Sequence, residues 1–91
     1  MMKYDILVAI CDEELLNKKL VDKKVEIKIS KEFYGERLID DEIAIKLMER
    51  ATIGNLIGEK IISLAEKNGF ITKENIILID GVPHAQFVKL E

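Results

Sequence analysis

One cysteine, one proline, one histidine and one glutamine occur in 91 residues, and each scarcity removes a class of explanation. A lone Cys11 excludes an internal disulfide, which fits a reducing compartment. It also leaves no Cys-x-x-Cys pair from which to build a structural zinc site, so no metal and no cofactor are expected. No apolar run approaches membrane-spanning length and no basic-then-apolar leader is present, so the expected location is the cytoplasm, away from membranes. A net charge of −3 argues against wholesale phosphate binding, which draws its affinity from an excess of Lys and Arg. Ninety-one residues leave room for one core, so residues 1–91 are expected to form a single domain.

What is present is a chain 48% apolar and 34% charged, neither disordered nor fibrous. Fifteen Ile alongside many Lys and Glu resemble the bias of a thermophile, in which charged surface networks replace thermolabile amides. The average charge hides an asymmetry. Between Asn17 and Lys31 stand lysines 18, 19, 23, 24, 28 and 31 against Asp22 and Glu26, a local +4.

Taken in order, Tyr4 to Cys11 is apolar on both alternating faces except at Asp5 and predicts a central strand. Asp12 is placed to cap a short helix with Glu13 and Glu14 in its first turn and Lys18 and Lys19 in its last. In Val25 to Ser30, apolar and polar residues alternate as in a strand with one wet face, whose lysines suit an edge. Lys31 to Ile39 reads as a loop. Asp40 or Asp41 caps a helix with Ile43, Ala44, Leu47, Met48 and Ala51 inward. Thr52 restarts a second helix, Ile53 to Lys67, closed by Asn68-Gly69. Ile76 to Val88 predicts a β-hairpin: Ile76 to Ile79 is apolar throughout, as in a central strand, Asp80-Gly81 supplies the reversal, and Pro83 belongs in the loop or at the first position of the returning strand. The expected fold is α+β: about four strands in a mixed or antiparallel sheet, two helices on one face, and a short helix after the first strand. The other face is expected to be covered by that short helix and the Phe33-Tyr34 loop, or by a second copy in a homodimer.

Four strings, Val8-Ala9-Ile10-Cys11-Asp12-Glu13-Glu14-Leu15-Leu16, Phe33-Tyr34-Gly35, Ala51-Thr52-Ile53-Gly54-Asn55-Leu56-Ile57-Gly58-Glu59 and Gly81-Val82-Pro83-His84-Ala85-Gln86, resemble the small archaeal proteins grouped as domain of unknown function 424. The resemblance spans nearly the whole chain. It implies an archaeal, cytosolic protein of about this length and supplies no activity, so the chemistry has to come from the residues.

Cys11 and His84 invite pairing as nucleophile and base, since a neighbouring imidazole lowers a thiol's pKa. Against this, Cys11 falls in line with Leu7 and Ala9 as a small core residue, and a histidine beside a turn often bonds a carbonyl. Gly54, Asn55 and Gly58, placed in the first turns of the second helix, either allow close packing or receive an anion such as an RNA phosphate. Phe33 and Tyr34 either close a core or stack on an unpaired base, with Lys24, Lys28 and Lys31 supplying the field. The preferred reading is a noncatalytic RNA- or ribosome-associated module. The alternatives are a small enzyme or ligand-binding protein at Cys11 and His84, and a protein-interaction subunit.

Overall fold

Residues 4–38 and 40–89 are described by a computed structural model. β1 (Leu7–Asp12) leads into a single 3-10 turn, Glu13–Leu15, and then a hairpin of β2 (Lys19–Asp22) and β3 (Val25–Lys28). There follow β4 (Glu36–Leu38), α1 (Asp41–Arg50), β5 (Ile53–Ile57), α2 (Glu59–Lys67), a second 3-10 turn (Lys73–Asn75), and the hairpin of β6 (Ile76–Ile79) and β7 (Val82–Val88). The main sheet has the order β4-β1-β5-β7-β6, with β1 parallel to both β4 and β5 and the remaining pairs antiparallel. β2 and β3 form a separate two-stranded sheet.

The α+β class, the mixed sheet and the two helices on one face follow the sequence reading. On that face Val8, Ile10, Leu56, Ala85 and Phe87 meet Ala44 and Met48 of α1 and Ile61, Ile62 and Ala65 of α2. The opposite face is covered over one half only. There Ala9, Cys11, Ile57 and Ile79 pack under Leu20, Ile29 and Tyr34, with Leu15, Leu16 and Ile27 alongside. Each such aliphatic side chain taken out of water contributes about 1.5–3 kcal/mol, enough that two small cores hold a chain of this size.

Four expectations are corrected. The helix expected after Asp12 is one turn, because Asn17 takes a φ of +70° and Lys19 to Asp22 is drawn into pairing with β3. The stretch read as a loop contains β4, which bonds to the edge of β1; Ile39, its last residue, lies outside the described residues. The helix read as Ile53 to Lys67 is a strand followed by a shorter helix. Ile53, Ile57 and Ile61 stand at helical spacing, but Ile53 and Ile57 are also four apart on one face of a strand, so the apolar pattern fits both periods. Tertiary pairing decides: β5 lies between β1 and β7, and the Thr52 hydroxyl accepts the Ile6 N–H at 2.8 Å and donates to Asp5 at 3.2 Å. β6, whose four apolar residues predict a central strand, lies at the sheet edge. In α1, Asp40 caps as expected, Oδ1 accepting from the N–H of Glu42 and Ile43 at 2.9 and 3.2 Å, but Ile43 stays 55% exposed.

The β6–β7 turn is a two-residue loop in which Asp80 (φ +52°) and Gly81 (φ +76°) both take left-handed conformations. This is the geometry that matches the right-handed twist of a hairpin. Replacing Gly81 by Val is expected to cost more than about 1 kcal/mol, because a β-branched residue resists that φ while no neighbour obstructs its side chain. A denaturation midpoint unchanged by the substitution would contradict the turn geometry.

Candidate functional site

Cys11 pairs with Ile57, and Ile57 with His84, so the thiol and the imidazole share one face and one row across the sheet. They are nonetheless two strands apart, about 10 Å, with the Ile57 side chain between them. Cys11 is fully buried, and burial, aided by the neighbouring Asp12 carboxylate, pushes its pKa up. A thiol so placed is protonated and inaccessible, the opposite of what a nucleophile needs. His84 is half-buried, and burial lowers its pKa, so the ring is neutral at physiological pH. Among the described residues no group of three His, Cys, Asp or Glu side chains is arranged to hold a metal ion.

The Gly54-Asn55-Gly58 segment lies in β5 and its exit, not in the first turns of a helix. Gly54 is where the Phe87 ring crosses the strand: a Cβ there would lie 2.1 Å from a ring carbon. Asn55, 7% exposed, lies on the same face as its cross-strand partner Ala9, its Oδ1 accepting from Gln86 Nε2 at 2.5 Å. Gly58 takes φ +124° and precedes α2, where an anion would be received. That place already holds one. Both oxygens of Asp12, a residue 2% exposed, accept the N–H groups of Lys60 and Ile61 at 2.9 and 2.8 Å. A carboxylate carried on β1 thus does for α2 what its own cap residue, a glycine, has no side chain to do. Asp12 makes no side-chain cap bond to the turn that follows it, and nothing local in the sequence marks a cap from 46 residues away.

The lysines occupy the hairpin. Leu20 and Ile27 point to the core, so the outer surface carries Lys19, Val21, Glu26 and Lys28. Lys19 and Lys28 stand directly opposite each other, and Glu26 bridges Lys19 at 3.0 Å. Hydrogen bonds from Asn17 N–H to Ile29 and from Ile29 N–H to Lys18 extend the hairpin, so Lys18, Lys19, Lys28 and Lys31 gather at its open end. Lys23 and Lys24 sit at the turn, about 13 Å along the strand from Lys28. Immediately beyond the open end, a turn closed by Tyr34 N–H to Ser30 at 2.8 Å presents Phe33 and Tyr34 differently. Tyr34 is 4% exposed, with burial pushing its pKa to about 12, and serves the core; Phe33 is 51% exposed, its ring 4.9 Å from that of Tyr34 in an edge contact.

Phe33 also lines a cleft of about 430 Å³ with Leu7, Ala9, Leu47 and Arg50. Nothing in the sequence marks Arg50, which lies in an acidic stretch; it is the last residue of α1 and lines the same cleft as the Phe33 ring. A planar guanidinium and an exposed ring lining one cleft suit a phosphate and a base together.

No helix among the described residues is long and apolar enough to cross a membrane. A family model described as a protein of unknown function (DUF424) matches residues 2–90. The crystal structure of an uncharacterized conserved protein from Methanopyrus kandleri is similar, with 27% sequence identity and a TM-score of 0.77 over 100% of this chain and 90% of that chain. Among curated proteins, none matches the chain.

Proposed function

The chain belongs to the DUF424 family of proteins of unknown function, and from that premise we propose that it is a noncatalytic module binding RNA through its lysine-rich hairpin and Phe33. The observation that carries the reading is the hairpin's outer surface. Lys19 and Lys28 are cross-strand neighbours, and like charges directly opposite each other destabilise a sheet. The hairpin packs on the core by its inner face, through Leu20 and Ile27, and on its outer face Glu26 bridges only Lys19 among these lysines. A polyanion along this surface would supply the missing counter-charge. Phe33 at the open end gives a base a face to stack on, and Arg50 across the cleft gives a phosphate a partner. The acidic net charge then confines binding to this lobe, keeping the rest of the molecule repellent to nucleic acid.

An enzyme reading finds less support, since Cys11 is buried and His84 stands two strands away. Changing Lys24, Lys28 and Lys31 together to Gln is expected to weaken binding to ribosomal RNA and to flatten its salt dependence, each lost phosphate contact reducing the log–log slope by about one. His84→Ala, a neutral ring already, is expected to change neither. Filter binding or fluorescence anisotropy across a salt series measures both quantities. Equal affinity and equal slope in the triple variant and the parent would overturn the reading.

A further inference from the structure

The edge strand β6 is Ile76-Ile77-Leu78-Ile79, with no charge, no proline and no bulge along it. Exposed sheet edges offer unpaired N–H and C=O groups to any other strand, and proteins normally guard them with such features. Here the edge is the least guarded part of the sheet: Ile77 is 56% and Leu78 65% exposed, on opposite faces. The apolar pattern is that of a strand with a neighbour on both sides.

The phase of the backbone says which groups are free. The Pro83 carbonyl accepts the Gly58 N–H at 2.9 Å, so Pro83 turns its peptide groups toward β5 and away from β6. Leu78, paired with Pro83, therefore stands in a non-hydrogen-bonded position, and its own N–H and C=O point outward; Ile76, two residues away, does the same. This also explains why a proline is tolerated in β7, since its missing N–H takes nothing from the β6–β7 ladder.

We propose that β6 pairs antiparallel with β6 of a second copy about a two-fold axis at Ile77, joining two five-stranded sheets into one of ten. Outward-facing Ile76 and Leu78 are two apart, so each exchanges hydrogen bonds with the other's counterpart when Ile77 meets Ile77 of the second copy. One strand thus satisfies itself, as an isologous interface requires. A register shifted toward Ile79 runs into the β2–β3 hairpin, which is tied to that end of β6 by Asp22 accepting the Asp80 N–H at 2.9 Å and Asp80 accepting the Val21 N–H at 3.3 Å. The pairing gives each exposed apolar side chain an apolar cross-strand neighbour, Ile77 against Ile77 and Leu78 against Ile76. This surface lies apart from the lysines at the hairpin's open end, so it stands whether or not the protein binds RNA.

Sedimentation velocity of the full chain tests it, with the expected species twice the 10.4 kDa of the single chain. Leu78→Lys is expected to abolish that species while leaving the far-UV circular dichroism unchanged, as befits an exposed position. Ile77→Cys is expected to form a disulfide-linked dimer on mild oxidation, because residues in a non-hydrogen-bonded antiparallel pair lie about 4.5 Å apart at Cα, within reach of a disulfide; the buried Cys11 of the parent should not cross-link. A monomer at millimolar concentration overturns the proposal, and so does a dimer that neither loses its mass with Leu78→Lys nor cross-links through Ile77→Cys.

Discussion

Gly54→Ala is expected to destabilise the protein by about 3 kcal/mol, the upper end of what overpacking a core usually costs. The methyl group would sit 2.1, 2.4 and 2.7 Å from three carbons of the Phe87 ring, well inside van der Waals contact. The ring has little room to retreat: Phe87 is 7% exposed, stacked on Phe70 with centroids 5.9 Å apart, and the Lys89 ammonium lies 5.5 and 5.7 Å from the two ring centroids. That ammonium is itself held by the carbonyls of Met48 and Glu49 at 2.7 Å each, which ties the aromatic pair to the end of α1. In a domain of this size the loss corresponds to a melting temperature lower by about 12 °C or more. Combining Gly54→Ala with Phe87→Leu should cost less than the sum of the two single changes, because the smaller side chain vacates the space the methyl needs. Strict additivity in thermal or chemical denaturation would mean that the two residues do not meet.

The second large effect belongs to Asp12. Asp12→Ala strands two N–H groups at the start of α2 and removes the only carboxylate bonded to them among the described residues. A hydrogen bond to a charged group is worth about 1.5–3 kcal/mol, and here the donors are left without a partner near the protein interior, so the expected loss is about 3 kcal/mol. Asp40→Ala provides the contrast. Asp40 caps α1 in the ordinary local way, but it is exposed, and water replaces much of what the side chain gives, so about 1 kcal/mol is expected. Urea denaturation of the two variants side by side is the measurement. If Asp12→Ala costs no more than Asp40→Ala, β1 does not anchor α2 through this carboxylate.

Asp12 and Gly58 form one device. A Cβ at Gly58 would lie 2.3 Å from the Asp12 carboxyl carbon, and φ of +124° disfavours any side chain there. The glycine therefore lets the carboxylate approach the helix, and a pair of glycines that resembled an anion-binding segment turns out to serve an aromatic ring at one position and an internal carboxylate at the other. The α2 N-terminus does take an anion, and the chain itself supplies it.

Where one period of apolar residues was compatible with the local residues, the sequence was enough. The two strands around Asp80-Gly81, the wet-faced Val25 strand, the Asp40-capped helix and the burial of Cys11 in line with Ala9 all follow from patterns within ten or so residues, and the same is true of the lysine excess that defines the candidate surface. Tertiary structure decided everything that depended on partners distant in the chain. Ile53 to Ile57 satisfies strand and helix spacing alike, and pairing with β1 and β7 settles it. Cys11 and His84 are both near strand ends, yet the insertion of β5 between their strands keeps them apart. β6 carries the apolar pattern of a central strand and lies at an edge, because a side-chain pattern records how many faces must be covered and is silent on which strand does the covering. Local spacing encodes period and turn; strand order is set by the sum of backbone pairings and buried area across the whole chain, which no single stretch contains.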